Sequence, residues 1–235
     1  MIKKVLFFTL ISAFLSQVNA QDLLSPSYGF SHKKTSYITL MDGTEIKGTI
    51  KDLDREKGLI ENVKIKDGNG EKHKLDADEI KYMYLPPSGL DKLSTALDMM
   101  TDVQKWTDEK LDQDLLNQGY AYFELSNVKV KKKEKKLLMQ LLNPSFSKKV
   151  KVYHDPYAKE TASAGVGGVT VAGGKAKSYY IKIGNDAAYK VQKKRYDEEF
   201  KPLWDKCKSL VKKYSKNIKW NDLAQHVLDY SNCEG

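Results

Sequence analysis

The sequence predicts an α+β protein with three parts: a small, strongly bent antiparallel β module, a long amphipathic helix, and a second antiparallel β region closed by C-terminal helices. Three observations predict it. Residues 37–87 hold five short β-branched or aromatic runs separated by Asp-Gly and Gly-Asn-Gly turn signals. Residues 88–118 carry Leu90, Leu93, Leu97, Met100, Leu111 and Leu115 at helical spacing. Alternating runs return over 119–192, and helical spacing resumes over 193–235.

Within the first module, Tyr37–Met41 reads as a strand and Asp42-Gly43 as a hairpin turn. Thr44–Ile50 returns, with Gly48 between Ile46 and Ile50 where a glycine marks a bend or bulge. Val63–Lys66, Glu71–Leu75 and Lys81–Leu85 read as three more strands, and Pro86-Pro87 ends the module. Five strands in about fifty residues form a bent sheet that is marginal alone and needs a packing partner. Ser88 caps the helix that supplies it, and Gly119 ends that helix. Tyr120–Val130 and Leu137–Leu142 flank a charged turn at Lys131–Lys136. Val150 and Val152 alternate with lysines over 149–153, and Ser178–Ile183 pairs with Ala187–Val191 across Gly184-Asn185-Asp186. In the C-terminal part Pro202 must kink or end the helix that holds Tyr196, Phe200 and Leu203, and a short helix carries Trp220, Leu223, Val227 and Tyr230.

Residues 1–20 have the three parts of a signal peptide: Lys3-Lys4, an apolar run from Val5 to Phe14, and Val18-Asn19-Ala20 before the cleavage point. The expected address is the periplasm or the outside of the cell. The mature chain is expected not to be a lipoprotein, because Gln21 and not a cysteine stands directly after that point. It would begin with a polar leader arm over 21–36. Without Lys3 and Lys4, two of the 40 Lys+Arg, the remaining chain faces 31 Asp+Glu with a net charge of +7. No later apolar run approaches the ~18 residues of a membrane helix. An oxidising address predicts a disulfide between Cys207 and Cys233, closing a loop that contributes about 3 kcal/mol in the chain-entropy model.

Catalytic and cofactor signatures are missing. The glycine-rich stretch 162–175 contains Gly165, Gly167, Gly168, Gly173 and Gly174, but Gly174-Lys175 is followed by Ala176, and no phosphate-loop spacing results. It reads as a hairpin tip, or as an exposed loop that orders against a partner or a membrane surface. His32, His73, His154 and His226 form no metal-ligand pair, and Asp76, Asp78 and Glu79 lack a calcium-loop pattern. The sequence therefore predicts no catalytic residue, no cofactor and no metal site. An extracytoplasmic address also argues against nucleic acid as a partner. Lys131, Lys132, Lys133, Lys135 and Lys136 form a basic tip suited to a polyanion. The expected function is a non-catalytic envelope protein that binds a partner protein or an anionic surface polymer through this tip or the glycine-rich loop. The alternative is a hydrolase-like envelope enzyme assembled around His154, with Tyr153 and Asp155 beside it.

The hairpin DGTEIKGTI, the following DGNGEKHKL and DADEIKYMYLP, the run LLNPSFSKKVKVYHDPYAKET, GGKAKSYYIKIG and the C-terminal segment with paired cysteines together carry a resemblance. The chain resembles an uncharacterised secreted protein family of Bacteroidota over most of its mature length. The resemblance implies secretion and a shared fold, and it assigns no catalytic residue.

Overall fold

The computed structural model describes residues 22–89, 111–158, 164–166, 169–172 and 175–233. The expected signal peptide, residues 1–20, and most of the expected helical stripe, 90–110, lie outside the described residues. The chain is α+β, with a mixed β-sheet followed by C-terminal helices.

Five strands build the first module: β1 (Ser36–Leu40), β2 (Glu45–Glu56), β3 (Leu59–Asp67), β4 (Lys72–Asp76) and β5 (Ile80–Leu85). Their spatial order is β4-β3-β2-β1-β5, every pair antiparallel. Period-two alternation sorts the faces. Ile38 lies opposite Met83 on the face that packs with Ile50, Ile65 and Phe123, and Tyr37 lies opposite Tyr84 on the other. Strands β2 and β3 are longer than the sequence suggests, for 51–62 is a second hairpin. Its residues are charged and poor strand formers, but cross-strand pairing overrides propensity. Lys64 Nζ reaches Asp52 and Asp54 at 3.0 Å each, and Lys57 and Gly58 both take the positive φ of a tight two-residue turn. Register shifts after Ile50 and Asp54 mark bulges that bend the ribbon.

A short helix, α1 (Gln113–Asn117), starts afresh at Asp112, whose side chain accepts the Leu115 N–H at 3.0 Å. An unbroken helix over 88–118 is therefore not formed at this end. Leu111 and Leu115 of the apolar stripe are buried, and so is Leu116 beside them.

The second region comprises β6 (Ala121–Val130), β7 (Lys133–Gln140), β8 (Val150–His154), β9 (Ala164–Val166), β10 (Val169–Ala172), β11 (Ser178–Ile183) and β12 (Ala188–Gln192). The start of β6 pairs with β5, so both β regions share one sheet. Further on, β6 pairs with β7 throughout and with β12 in parallel at Val128 and Lys129. This parallel pair departs from the antiparallel expectation. It arises because the chain leaves β7 for β8 and returns through β11 and β12. Leu141 bridges Tyr153, and Leu142 N–H donates to the Val152 carbonyl at 2.8 Å. Strands β6, β7, β8, β11 and β12 thus close into a five-stranded ring. The glycine-rich stretch forms a separate two-stranded ladder, β9–β10.

The outer face of β8, β11 and β12 packs against α2 (Tyr196–Leu203), α3 (Lys208–Tyr214) and α4 (Leu223–Ser231) through Val152, Ile181, Val191, Phe200, Trp204 and Val227. Pro202 sits in the last turn of α2, which ends at Leu203. Cys207 and Cys233 form the expected disulfide, joining the start of α3 to the end of α4 with their Cα atoms 6.0 Å apart.

His226 lies within this helical layer with 0% exposure, ringed by Tyr196, Phe200 and Tyr214. Its Nδ1 meets the Tyr196 hydroxyl at 2.8 Å. Burial pushes its pKa down to about 4, against the weaker pull of Asp222 and Asp229. The unfolded chain therefore takes up a proton at this histidine before the folded one does, and stability falls as pH drops from about 6.5 toward 4. Thermal melts should show this decline, and in H226F it should be shallower over the same interval. An identical slope in both proteins would assign the decline elsewhere.

Candidate functional site

The sequence nominated the lysine tip, the glycine-rich loop and the Tyr153–Asp155 strand end. The lysine tip ends the β6–β7 hairpin. Its turn is only Lys131-Lys132, with Lys131 at φ 59°, because Val130 already pairs with Lys133. Residues 133–136 are strand rather than turn. All six residues from Lys131 to Lys136 are exposed, and so is Lys129 opposite Glu134. Among the described residues, Lys131, Lys132, Lys133, Lys135 and Lys136 form no ion pair. The hairpin holds these cations on a rigid two-stranded ladder at one end of the ring. Of the glycine-rich loop, Gly165 belongs to β9, whereas Gly167, Gly168, Gly173 and Gly174 lie outside the described residues.

Strand alternation sends Tyr153, His154 and Asp155 to different surroundings. Tyr153 points into the ring, where its hydroxyl donates to Glu124 Oε1 at 2.6 Å and lies 3.3 Å from Ser126 Oγ. Burial and the adjacent Glu124 carboxylate hold this phenol far above its ordinary range. Lys151 Nζ donates to both Glu124 oxygens at 2.7 Å, and Lys182 reaches Ser126 at 3.4 Å. Sequence reading missed this cluster. Its signal was the period-two row Tyr122, Glu124, Ser126 and Val128, in which two polar groups take core positions.

No protein-family model, curated protein or solved structure matches the chain. Among the described residues no helix is long and apolar enough to cross a membrane.

Asp155 is 0% exposed, with its carboxylate accepting from Ser178 Oγ at 2.6 Å, from the Tyr157 N–H at 3.1 Å, and paired to Lys190. It clamps the end of β8 to β11 and β12. His154 faces the opposite way, into a cleft, and no hydrogen bond joins it to Tyr153 or Asp155. Burial is the main cause that takes its pKa down to about 4. Asp155 pulls it up, and Arg55 adds to the lowering. An orienting carboxylate of the kind an acid–base histidine needs is absent from its ring nitrogens among the described residues.

The turn between β3 and β4 gathers Asp67, Glu71 and His73, whose ligand atoms lie within 4.8 Å of one another. Asp67 is already engaged. It accepts the N–H groups of Asn69 and Glu71 at 2.9 Å each and meets His73 Nε2 at 3.1 Å, and the His73 contact foremost lowers its pKa. This is the local chemistry of a capped turn.

Proposed function

We propose that the protein is an exported, non-catalytic envelope protein that holds an anionic surface polymer with its β6–β7 tip. The observation that carries this reading is the set of five lysines, exposed and free of ion pairs among the described residues, on a rigid hairpin. Cations committed to internal pairs have little left for a polyanion, whereas these keep their full attraction. The net charge of +7 on the chain without residues 1–20 adds a favourable long-range field.

The test is retention on immobilised dextran sulfate and polygalacturonate. Replacing Lys131, Lys132, Lys133, Lys135 and Lys136 by Gln should weaken binding at least 100-fold at low salt, at about 1 kcal/mol for each lysine near an anionic surface. Wild-type retention should fall steeply with salt. The control removes the same five charges elsewhere, at the exposed Lys51, Lys66, Lys72, Lys74 and Lys81. Equal weakening in both variants would reduce the effect to net charge. Retention of a protein partner by the five-Gln tip variant at high salt would replace the polymer reading.

A further inference from the structure

The lysines of the β6–β7 hairpin do not share one surface. Residues paired across a ladder lie on the same side of the sheet, and successive residues alternate. Val128 is fully buried with Ala188, Tyr153 and Tyr180 inside the ring, and Val130 packs against the same cluster. Lys135 pairs with Val128 and Lys133 with Val130, so both leave the hairpin on its ring side. Lys136 pairs with Asn127, and Lys129 with Glu134, on the outer side. The outer side thus sets a carboxylate beside its two lysines, whereas Lys133 and Lys135 stand among valines.

The ring side also receives a cation from outside the hairpin. Lys182 on β11 pairs with Lys151 on β8, on the same inward side as Tyr180 and Tyr153. Its Nζ reaches Ser126 Oγ at 3.4 Å. Ser126 pairs with Leu137, the next residue after Lys135 on that side of β7. The Lys182 ammonium therefore continues the row that Lys133 and Lys135 begin, in steps of about 6.8 Å, the repeat of one side of a strand. Two other inward lysines are occupied. Lys151 donates to both Glu124 oxygens, and Lys190 pairs with Asp155. Lys182 is half-buried and forms no ion pair among the described residues. An ammonium drawn partly out of water without a carboxylate has an electrostatic demand that an anion on this row would meet.

We propose that the ring side of the hairpin is the face that reads the anionic polymer. One chain lies along Lys133 and Lys135 and sets an anionic group on Lys182, while Lys129 and Lys136 contribute only to the general field. This inference rests on the polyanion reading above and adds to it a side, a direction and a residue outside the tip.

The test compares dissociation constants for fluorescently labelled dextran sulfate at low salt. Lys135 and Lys136 are adjacent, both exposed and equal in charge, and they differ in the side they take. K133Q and K135Q should each weaken binding about fivefold, the size expected for one lysine at an anionic surface. K129Q and K136Q should each weaken it less than about twofold, as screened general charges. K182Q should weaken binding about fivefold, and K182R, which keeps the charge, should stay within about twofold of the wild type. Thermal melts check the fold of both Lys182 variants, and the K135Q–K136Q comparison at exposed positions decides the side on its own. The inference is overturned if K136Q weakens binding as much as K135Q, or if K182Q binds as the wild type does. In either case the polyanion reading stands as long as the five-Gln tip variant loses its binding. Full binding by the five-Gln variant would overturn both.

Discussion

Replacing Lys190 by Met should destabilise the protein by about 3–5 kcal/mol, because it strands a fully buried carboxylate. Asp155 sits just past β8, opposite Ser178 by the β8–β11 register, and it has no access to solvent. Its charge is balanced by Lys190 from β12 and hydrogen-bonded by Ser178 and the Tyr157 N–H. Methionine fills a similar volume and keeps the apolar stem, so the loss reads the charge and not the packing. Urea unfolding should show a lower midpoint with an unchanged slope. The double variant D155N/K190M removes both charges and should recover a large part of the loss, since an amide without a charge is far cheaper to bury. A K190M cost below about 1 kcal/mol would mean that Ser178 and the backbone suffice for Asp155. The clamp has a functional consequence. Asp155 is occupied in joining three strands of the ring, so it is not at hand to orient His154.

Much of this architecture was legible because local chemistry and tertiary fold agree. The strand Ser178–Ile183 reads directly from its β-branched and aromatic residues, and the pairing of Cys207 with Cys233 is the one that two cysteines allow. What was not legible required partners distant in sequence. The hairpin over 51–62 has the composition of a loop, and its ladder sets Leu53 across from Val63 and Asp52 across from Lys64. The parallel β6–β12 pair depends on a closure that no local pattern announces. The site was legible in the same proportion. The lysine tip declares itself as a charge run. The cleft at His154 does not, because its wall is gathered from the arm, β3, β6, β7 and β8, and Arg55 stands almost a hundred residues away from the histidine it faces. Reading His154 together with Asp155 followed adjacency in sequence, whereas strand alternation places neighbours on opposite faces.

Gly48→Ala should be among the most damaging single-methyl changes in the protein, with an expected loss of about 3 kcal/mol or more. Gly48 lies near the start of β2, opposite Ser36 on β1 and Asp67 on β3. A Cβ there would come within 2.8 Å of Asp67 Cα and closer still to the Lys66 carbonyl oxygen. Both are backbone atoms, so no rotamer change relieves the contact, and β3 must move away from β2 where Thr49 pairs with Lys66. The glycine is required by the close approach of the β3 backbone, which leaves no room for a side chain between Ile46 and Ile50. Gly68 is the control. It lies in the β3–β4 turn, nothing stands within 4 Å of its Cβ position and its φ is not positive, so G68A should stay within about 0.5 kcal/mol of the wild type. In thermal melts G48A should lose roughly 6–12 °C. If G48A and G68A melt together, the β3 backbone does not crowd Gly48 as described. The lysine tip stands on the far hairpin, so G48A, as long as it stays folded, should hold a polyanion as the wild type does.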